Sequence, residues 1–568
     1  MKKIIILFIC LTSSIWHVCA QTKVSGIVKD AQGMEMIGAT VLQKGTNNGI
    51  VTGLDGKFTL TLSNKAEQTL LISMIGFIEQ SIAIKKNHPF INITLEEDIA
   101  QLDEVVVVGY GTQKKVSLTG SISNVGTEDL KSMPVSSVTN ALGGRIPGLV
   151  TRQESGRPGG DQATMFVRGR ASLNDSSPLV LIDGVERPMA QIDPDDIETI
   201  SVLKDASATA VYGVRGANGV ILVTTRRGRE GETRISFSSE FGVTSFNRIS
   251  QTLNAESVSR FMREGAINDG FDPSDTGNTR GLFLSEYDNY LYRTQKSPFT
   301  HPDNDFVDMF TKNGLQQKYN VNLSGGNKTV RYFVSVGYFT QTGMFETDVD
   351  KIKEHETIQA LLAASPDVAK GLYKEGYNSE YKYSRLTTRS NIDINLTEDF
   401  KVSVNLAYRF GSQNRPYGYD ADGQEALRLF GMFYRNSPQA FPILNANGTY
   451  AAADGIWRQN PLVTLCYSDL NFNNKLETDF AFKYNLRKLL KGLSIDGKIS
   501  YDAGWSNNRS IQQRPNIYQY NPVNGTYKQG LEMVLPTKAT NKTAATHRKY
   551  AEAAVRYKQS FSGHNISG

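Results

Sequence analysis

Long segments in which polar and apolar residues alternate fill the chain from about Gly231 onward, and they constrain its fold more than any other feature. Two of them are Arg331–Phe339 and Lys401–Tyr408. Six similar runs cover 235–246, 317–324, 386–396, 476–486, 493–502 and 548–557. Aromatic residues cluster near the ends of the runs, and alternation over about 10 residues between aromatic girdles is typical of strands that cross an outer membrane. This region therefore predicts a transmembrane antiparallel β-barrel.

An array of secreted β-sandwiches, as in an adhesin, is a second interpretation, because its strands also alternate. Sandwich strands usually have about 5–6 residues, whereas many of these runs are longer. The long connections at 252–315 and 411–470 also fit the extracellular loops of a barrel. The pattern favours the barrel and leaves the sandwich array open.

The first 20 residues predict a secretory signal peptide. Lys2 and Lys3 form a positive start, Ile4–Leu11 is an apolar core, and Val18-Cys19-Ala20 is a small-residue cleavage site. The apolar run is much shorter than the roughly 20 residues that a spanning helix needs. We expect the mature chain to begin at Gln21 and to lie outside the cytoplasm.

Composition excludes several functional classes. The formal charge is +5, and +3 without the two leader lysines, which is too small to indicate a nucleic-acid partner. Cys466 is the one cysteine beyond the leader, so neither an internal disulfide nor a paired-cysteine zinc site is expected. The six histidines show no metal-ligand spacing, and no hydrolase or metalloprotease motif is present. We expect no catalytic residues, no metal and no cofactor, and hence no enzyme.

Two smaller domains precede the alternating region. Residues 21–97 carry short strands separated by turns such as Asp55-Gly56, which predicts a β-sandwich of the immunoglobulin or transthyretin kind. Residues 116–230 are mixed α+β, with buried strands expected at 179–182, 200–203 and 220–223 and helical segments at 136–142 and 206–212. Residues 231–568 then form the barrel part.

A run of four valines lies in the linker at 98–115 that joins the two small domains. Val105–Val108 is β-branched and carries no charge, so it predicts an extended strand that could add to the edge of a partner's sheet. It could also be the last strand of the preceding sandwich.

The order of these features resembles the TonB-linked outer-membrane transporters of the SusC/RagA family, in their N-terminal part only. Residues 23–96 resemble the carboxypeptidase-regulatory-like domain of that family, through Ile37-Gly38-Ala39-Thr40-Val41 and Asp55-Gly56-Lys57-Phe58. The block 116–230 resembles its plug domain, through Leu181-Ile182-Asp183-Gly184 and Tyr212–Thr225. The plug motif residues are Arg168, Gly169, Asp183, Gly184, Lys204, Asp205, Arg215, Gly216, Asn218 and Gly219. The linker resembles the TonB box, formed by Asp103, Glu104, Val105, Val106, Val107, Val108, Gly109 and Tyr110.

The resemblance implies energised import across the outer membrane of a Bacteroidetes-like bacterium, with the N-terminal domain in the periplasm. TonB, with ExbB and ExbD, would pull on the box and so on the plug. A SusD-like surface lipoprotein would cover the barrel, and outer-membrane lipid would surround it. The nutrient would be an oligosaccharide or other glycan. Peptides or an iron chelate are the alternative cargo.

Eight predicted barrel strands are few beside the roughly 22 of the plugged barrels that the family resembles. Open sheet edges facing lipid would leave backbone N–H and C=O groups unpaired. Each unpaired group would cost on the order of several kcal/mol, as for an amide buried without a hydrogen bond. We therefore expect an incomplete barrel, from a truncated gene or record.

Two further hypotheses concern side chains. Some plug arginines are expected to pair with barrel carboxylates and to release when the plug is pulled; the candidates are Arg168, Arg170, Arg215, Arg226, Arg227 and Arg229. The plug glycines Gly213, Gly216 and Gly219 are expected to permit tight turns and close packing against the barrel wall. Loop aromatics could stack on sugar rings, or could serve only as packing and girdle residues; these are Tyr417, Tyr419, Phe430, Phe433, Tyr434 and Trp457.

Overall fold

The computed structural model divides the chain into two compact units, Met1–Thr119 and Gly120–Gly568. It describes residues 22–567 except for 31–32, 47, 63–68, 75–76, 85–89, 97–104, 109–110, 115–121, 132–134, 171–175, 191, 276–282, 373–378, 416–424, 453–459, 465–466, 515, 522–523, 532–533 and 562–563. The predicted signal peptide lies outside the described residues. Among the helices that are described, none is long and apolar enough to cross a membrane.

The first unit contains a β-sandwich, as the sequence predicts. Its strands are β1 Thr22–Asp30, β2 Thr40–Gln43, β3 Gly49–Val51, β4 Lys57–Leu62, β5 Thr69–Ser73, β6 Gln80–Ala83 and β7 Phe90–Leu95. One sheet has the order β4-β1-β7 and the other β3-β2-β5-β6. Strict alternation in β4 places Phe58, Leu60 and Leu62 on the buried face, where they join Val28 and Ile72 in the core.

The valine run forms a hairpin in this unit. Strand β8, Val105–Val108, pairs antiparallel with β9, Gly111–Lys114, and Val108 lies opposite Gly111. The two strands form a sheet of their own among the described residues, so the run is not a strand of the sandwich. The remaining predicted box residues, Asp103, Glu104, Gly109 and Tyr110, lie outside the part of the chain that is described.

The second unit begins with a mixed α+β domain. Its strands are β10 Ile122–Gly126, β11 Leu149–Gln153, β12 Ala163–Val167, β13 Leu179–Ile182, β14 Val185–Glu186, β15 Ile197–Leu203 and β16 Val220–Thr225. Its helices are Thr127–Lys131, Val138–Ala141 and Ala206–Thr209, with 3-10 turns at Pro194–Asp196 and Ala210–Gly216. Five strands form one sheet in the order β10-β15-β16-β13-β14, and β11 pairs with β12. Every strand and helical segment that the sequence predicts here is present.

A nine-stranded antiparallel sheet follows. Its strands are β17 Gly231–Thr244, β18 Gly314–Gly326, β19 Val330–Thr342, β20 Lys382–Asn395, β21 Phe400–Arg415, β23 Tyr467–Asn485, β24 Leu493–Arg514, β27 Val534–Phe561 and β28 His564–Ser567. They pair in chain order from β17 to β28. Each of the eight predicted runs overlaps a different long strand. The strands continue past the runs, to 28 residues in β27, because backbone pairing extends beyond the clearly alternating residues.

The two faces of this sheet have opposite polarity. In β18 the side chains of Gln316, Lys318 and Asn320 are buried, whereas Leu315 and Val321 are exposed. Successive strand side chains point to opposite faces, so the polar set faces the mixed domain and the apolar set faces away. A sheet of a soluble sandwich would bury its apolar face instead. The sandwich-array interpretation of this region is therefore wrong.

The long connections at one end of the sheet carry helices that the sequence does not predict. These are Ala255–Asn268, Glu286–Thr294, Phe306–Phe310, Val349–Glu354, Glu356–Ala364, Glu425–Arg435 and Pro461–Thr464, with a 3-10 turn at Pro366–Lys370. A small sheet of β22 Tyr450–Ala451, β25 Ile517–Asn521 and β26 Thr526–Leu531 lies among them. Several of these elements share a core in which Phe310 and Phe433 stack with ring centroids 5.6 Å apart, and we call the whole layer the cap.

Candidate functional site: the interface between the mixed domain and the sheet

An acidic turn of the mixed domain contacts the polar face of the sheet. Asp193 caps the 3-10 turn Pro194–Asp196 by accepting a hydrogen bond from the Asp195 amide at 3.0 Å. Lys318 of β18 reaches this turn and donates from Nζ to Asp195 Oδ2 at 2.9 Å. The same ammonium lies 3.3 Å from Asp193 Oδ1 and 3.7 Å from Glu240 Oε1 of β17. One cation thus joins the mixed domain to two neighbouring strands.

The third acid of the turn, Asp196, binds the next strands of the sheet. Arg389 of β20 donates from Nε to Asp196 Oδ2 at 3.2 Å, and the Ser335 hydroxyl of β19 donates to Asp196 Oδ1. Burial raises the pKa of the Asp196 carboxyl above its ordinary value, Arg389 opposes this shift, and the nearby charge of Asp193 adds to it. The turn is therefore held by side chains from three consecutive strands, β18, β19 and β20.

Arg187 makes a second anchor. It follows the β13–β14 hairpin, whose turn residues Asp183 and Gly184 both have positive φ, at 48° and 84°. Its guanidinium donates from Nη2 to Asp479 Oδ1 at 2.6 Å and to Asp502 Oδ1 at 2.7 Å. It also donates from Nε to Asp502 Oδ2 at 2.9 Å and from Nη1 to Asp479 Oδ2 at 3.1 Å. Each carboxylate on β23 and β24 is thus bound through both of its oxygens.

This arginine is 3% exposed, so its ion pairs lie out of water. Burial by itself would lower the pKa of Arg187, but the hydrogen bonds to Asp502 and Asp479 outweigh burial and raise the pKa. Breaking one partner of a buried pair typically costs about 3–5 kcal/mol, because the remaining charge is left without compensation. Removal of one side of the Arg187 anchor would therefore leave a buried charge without its partner, which costs more than the loss of a surface ion pair.

Further hydrogen bonds stabilise the β13–β14 hairpin and its contact with the sheet. The Asp183 carboxylate accepts from the Thr225 amide at 3.0 Å and from its hydroxyl at 2.6 Å, so it ties β13 to β16. The Asp183 carbonyl oxygen accepts from Lys498 Nζ of β24. Asn391 of β20 donates to Thr225 Oγ1 at 2.9 Å. The motif residue Asp183 therefore binds both β16 of the mixed domain and β24 of the large sheet.

The other predicted plug residues lie inside the mixed domain. Arg168 forms an ion pair with Asp205, and Lys204 donates to Ser123 Oγ at 2.6 Å. Arg215 pairs with Glu186, and Asn218 donates to the Ser177 carbonyl at 3.4 Å. Lys204 thus joins the end of β15 to β10, and Arg215 joins the helical segment at 206–216 to β14.

The motif glycines also act within the mixed domain. Gly219 has φ +89°, and a Cβ there would lie 2.7 Å from Val167 Cβ; a Cβ on Gly216 would lie 2.9 Å from the Thr209 carbonyl oxygen. Gly169 and Gly213 have φ +92° and +58° with open space around them. Positive φ at Gly213 and Gly219 agrees with the expected tight turns. The expected packing against the barrel wall is wrong for Gly216 and Gly219, because their near neighbours are Thr209 and Val167.

The expected pairing of a plug arginine with a sheet carboxylate is observed at Arg227, and its release under a pull stays a prediction. Arg227 donates from Nη1 to Asp393 Oδ1 of β20 at 3.0 Å, and Arg226 lies over the Phe333 ring of β19 at 5.6 Å. Arg229 pairs with Glu198 inside the mixed domain, as Arg168 and Arg215 pair with acids there. Arg187 was missed, although it directly follows β14 and although Asp479 and Asp502 occupy inward positions of alternating strands.

A polar cavity lies beside the two anchors. It encloses a volume of about 30 Å³, and its lining includes Asp193, Asp196, Arg389, Arg409 and Glu477. Acids and bases are thus mixed around it. Within the described ranges no group of three or more His, Cys, Asp or Glu residues is arranged to hold a metal ion.

The loop aromatics belong mainly to the cap. Phe433 is buried in the cap core, and Phe430 packs against it with ring centroids 6.0 Å apart. Tyr434 is partly exposed and donates its hydroxyl to the Ser250 carbonyl at 3.0 Å. Phe433 therefore cannot stack on a ligand in this conformation. Tyr417, Tyr419 and Trp457 lie outside the described residues.

Two family models match the chain. Residues 24–107 match the CarboxypepD_reg-like domain, and residues 114–220 match the TonB-dependent Receptor Plug Domain. The TonB-dependent receptor P26 of Formosa agariphila is 31% identical over 469 residues, which cover 80% of this chain and 40% of that protein. The TonB-dependent receptor SusC of Bacteroides thetaiotaomicron is 32% identical over 61% of this chain and 33% of its own length. This chain spans less than half the length of these relatives.

Among solved structures, the RagAB peptide importer in its open-open state superposes with a TM-score of 0.57 at 22% identity. The match covers 82% of this chain and 48% of that chain. A second structure of the RagAB peptide transporter gives 0.55 at 20% identity, over 79% and 47%. These similarities are at the level of the fold.

Proposed function

Because this chain is a SusC/RagA-type TonB-dependent receptor in its sequence and domain order, we propose that it belongs to an outer-membrane transporter that imports oligosaccharides with energy supplied through TonB. The observation that carries the proposal is the arrangement of the second unit. An apolar outer sheet face suits lipid, and the polar inner face holds a plug by buried ion pairs at Arg187, Lys318 and Asp196. A plug held in this way closes a pore until work is done on it.

The hairpin β8–β9 is the proposed handle for TonB. The edge of Val105–Val108 that does not pair with Gly111–Lys114 can take up a strand of TonB, with main-chain hydrogen bonds providing the hold and alternate valines the fit. Along the sequence, the first plug strand after the hairpin is β10, which is an edge strand of the plug sheet. A pull on the handle therefore reaches the plug at an edge strand, before the strands that carry the anchors.

The same ion pairs account for both closure and opening. Each anchor joins the plug to strands far away in sequence, so displacing the plug must break charged contacts that lie out of water. Loss of a buried pair costs several kcal/mol, on the order of 3–5 for one partner removed. Thermal motion alone rarely supplies such an amount, whereas a mechanical pull through TonB does. Water in the cavity beside Arg409 would solvate the separated charges.

The family resemblance supports a proposal for the cargo and the surface partner. A SusD-like surface lipoprotein would cover the cap side of the barrel, and an oligosaccharide would be the nutrient. The second candidate is a peptide, which is favoured by the fold likeness to the RagAB peptide importer. The periplasm is the proposed place of the first unit, with the sheet in the outer membrane.

The test uses the full-length gene product in its own outer membrane. Replacing both Val106 and Val107 by Pro removes consecutive amide donors, which point to opposite edges of a strand, so strand addition is blocked in either register. We expect uptake of a labelled oligosaccharide to fall at least tenfold while its binding to intact cells is unchanged. The matched control replaces both valines by Thr, which keeps the amides and the β-branching.

Unchanged uptake in the double proline variant would place the TonB contact elsewhere. Energised uptake of labelled peptides but not of oligosaccharides would replace the glycan proposal by the peptide one. A full-length product found in the medium or the soluble periplasm would overturn the transporter proposal as a whole.

A further inference from the structure

The turn between β23 and β24 exposes two leucines. Residues 486–492 form this turn, which we call the leucine turn, and Leu489 and Leu490 are 77% and 49% exposed. Lys488 and Lys491 flank them and are exposed as well. In the described part of the chain, neither lysine forms an ion pair. The turn therefore presents two exposed leucines between two lysines without an ion-pair partner among the described residues, so its surface is amphipathic.

The leucine turn is held rigidly. The amides of Leu489 and Leu490 both donate to the Leu486 carbonyl oxygen at 2.9 Å. Arg487 donates from Nη2 to the Glu398 carbonyl at 3.1 Å and forms an ion pair with Asp399, so the turn is fixed to the neighbouring turn at 396–399. That second turn exposes another leucine, Leu396. The apolar side chains are therefore presented by fixed backbone, and their exposure is a property of the fold.

The leucine turn is continuous with the apolar outer face of the sheet. Tyr484 and Phe482 lie near the end of β23, just before the leucine turn. Their ring centroids are 5.7 Å and 6.5 Å from that of Phe400 in the neighbouring strand β21. Phe482 and Tyr484 are two and four residues after the exposed Phe480, and Phe400 pairs with Tyr484, so all three rings lie on the same outer face as Phe480. Aromatic rings at strand ends mark the interface between lipid and water in outer-membrane barrels, and the short turns of such barrels lie on the periplasmic side.

We propose that the leucine turn binds an anionic phospholipid surface. Leu489 and Leu490 enter the boundary between headgroups and acyl chains, and Lys488 and Lys491 bind headgroup phosphates. An amphipathic element with leucines on one side and lysines beside them is suited to that depth, and the lysines add attraction to anionic headgroups. This inference rests on the proposed function, because it requires β23 and β24 to lie in a membrane.

The test measures depth and lipid preference in the full-length protein reconstituted in phosphatidylethanolamine vesicles with and without phosphatidylglycerol. Native cysteines, Cys466 included, are replaced by Ser, and a single cysteine at position 489, 328 or 499 carries an environment-sensitive fluorophore. We expect the Leu489→Cys label to shift to the blue and to be quenched by lipids with a shallow nitroxide. Lys328→Cys, in an exposed turn at the same end without leucines, is the matched control and should stay in water.

The Ile499→Cys label separates failure of the inference from failure of the proposed function. Ile499 is exposed on the outer face of β24, so deep quenching there reports insertion of the sheet. If position 499 is quenched and position 489 remains in water, the lipid contact is wrong and the transporter stands. If position 499 also remains in water, both fall.

A charge variant tests the role of the lysines. Lys488→Glu with Lys491→Glu should reduce the phosphatidylglycerol that is retained by the purified protein at least twofold, with no change at position 499. Equal retention would show that the lysines do not bind headgroups. A label at position 489 that leaves water only when periplasmic extract is added would show that a protein covers the turn, which would overturn the lipid proposal.

Discussion

Arg187 Nη2 lies 2.6 Å from Asp479 Oδ1, although the two residues are 292 positions apart in the chain. The contact joins the β13–β14 hairpin of the plug to a strand of the large sheet, and Asp502 on the next strand completes it. All three side chains are buried and bind one another directly, and Glu477 lies 3.9 Å from Arg187 Nε. Seating of the plug and the arrangement of these sheet strands are therefore linked.

Arg187→Ala should loosen the plug without preventing the sheet from forming. It leaves Asp479 and Asp502 without their cation, and the loss of a partner from a buried pair costs about 3–5 kcal/mol. We expect the urea midpoint for exposure of the plug to trypsin to fall clearly in the full-length protein. Arg229→Ala is the matched control, since its pair with Glu198 is mostly exposed and should shift the midpoint little. Equal midpoints for both variants would contradict the anchor.

Asp196 predicts a pH dependence of plug seating. Its pKa is raised by burial, so the folded state binds the proton more tightly than the unfolded state does. The contribution to stability is therefore present below the unfolded pKa, near 3.8, and is lost as pH rises through the higher folded pKa. Asp196→Asn, which cannot titrate, should flatten this part of the pH profile in the same trypsin assay. A profile as steep as that of the unaltered protein would show that another group is responsible.

Gly219→Ala should destabilise the plug more than Gly169→Ala. Both glycines have φ near +90°, and the left-handed backbone costs an ordinary residue roughly 1–2 kcal/mol. A Cβ at 219 also meets Val167 at 2.7 Å, whereas a Cβ at 169 meets nothing within 4 Å. The difference between the two urea midpoints measures the clash alone. Equal effects would mean that Val167 moves aside freely.

Phe433→Ala should weaken the cap. Removing a buried phenylalanine costs about 3–5 kcal/mol, and here it also removes the stacking on Phe310. We expect faster cleavage of the cap by protease on whole cells, with the rest of the sheet still protected. Tyr434→Ala changes a neighbouring, partly exposed ring and should leave cleavage nearly unchanged. Intact protection in the Phe433 variant, together with loss of ligand binding, would instead support stacking on a ligand.

Local sequence was enough for most of the architecture. Alternation in 331–339 and 401–408 predicted strands of the large sheet, since a period of two places every second side chain on one face. The Asp183-Gly184 pair forms the turn between β13 and β14 with positive φ at both positions, a backbone conformation that Gly and Asp tolerate better than most residues. The cap was missed, since its helices lie in long connections and contact residues far away in the chain, as Met262 contacts Gln439, 177 positions away.

The sequence predicted only some of the residues of the candidate site. Arg227 was among the predicted arginines and does pair with Asp393, but Arg168 and Arg215 bind acids of their own domain. Nothing in local sequence distinguishes these cases, because an arginine reaches a carboxylate that folding has brought within a few ångström. Lys318 and Asp195 illustrate the same limit at 123 positions apart.

The sequence by itself determined the order of domains, the two periodicities and the polarity of each strand face, since these follow from which residues are neighbours along the chain. The tertiary structure alone decided which charges meet. Ion pairing depends on distance and burial, and Arg187, Asp479 and Asp502 acquire both only when the plug hairpin lies against β23 and β24.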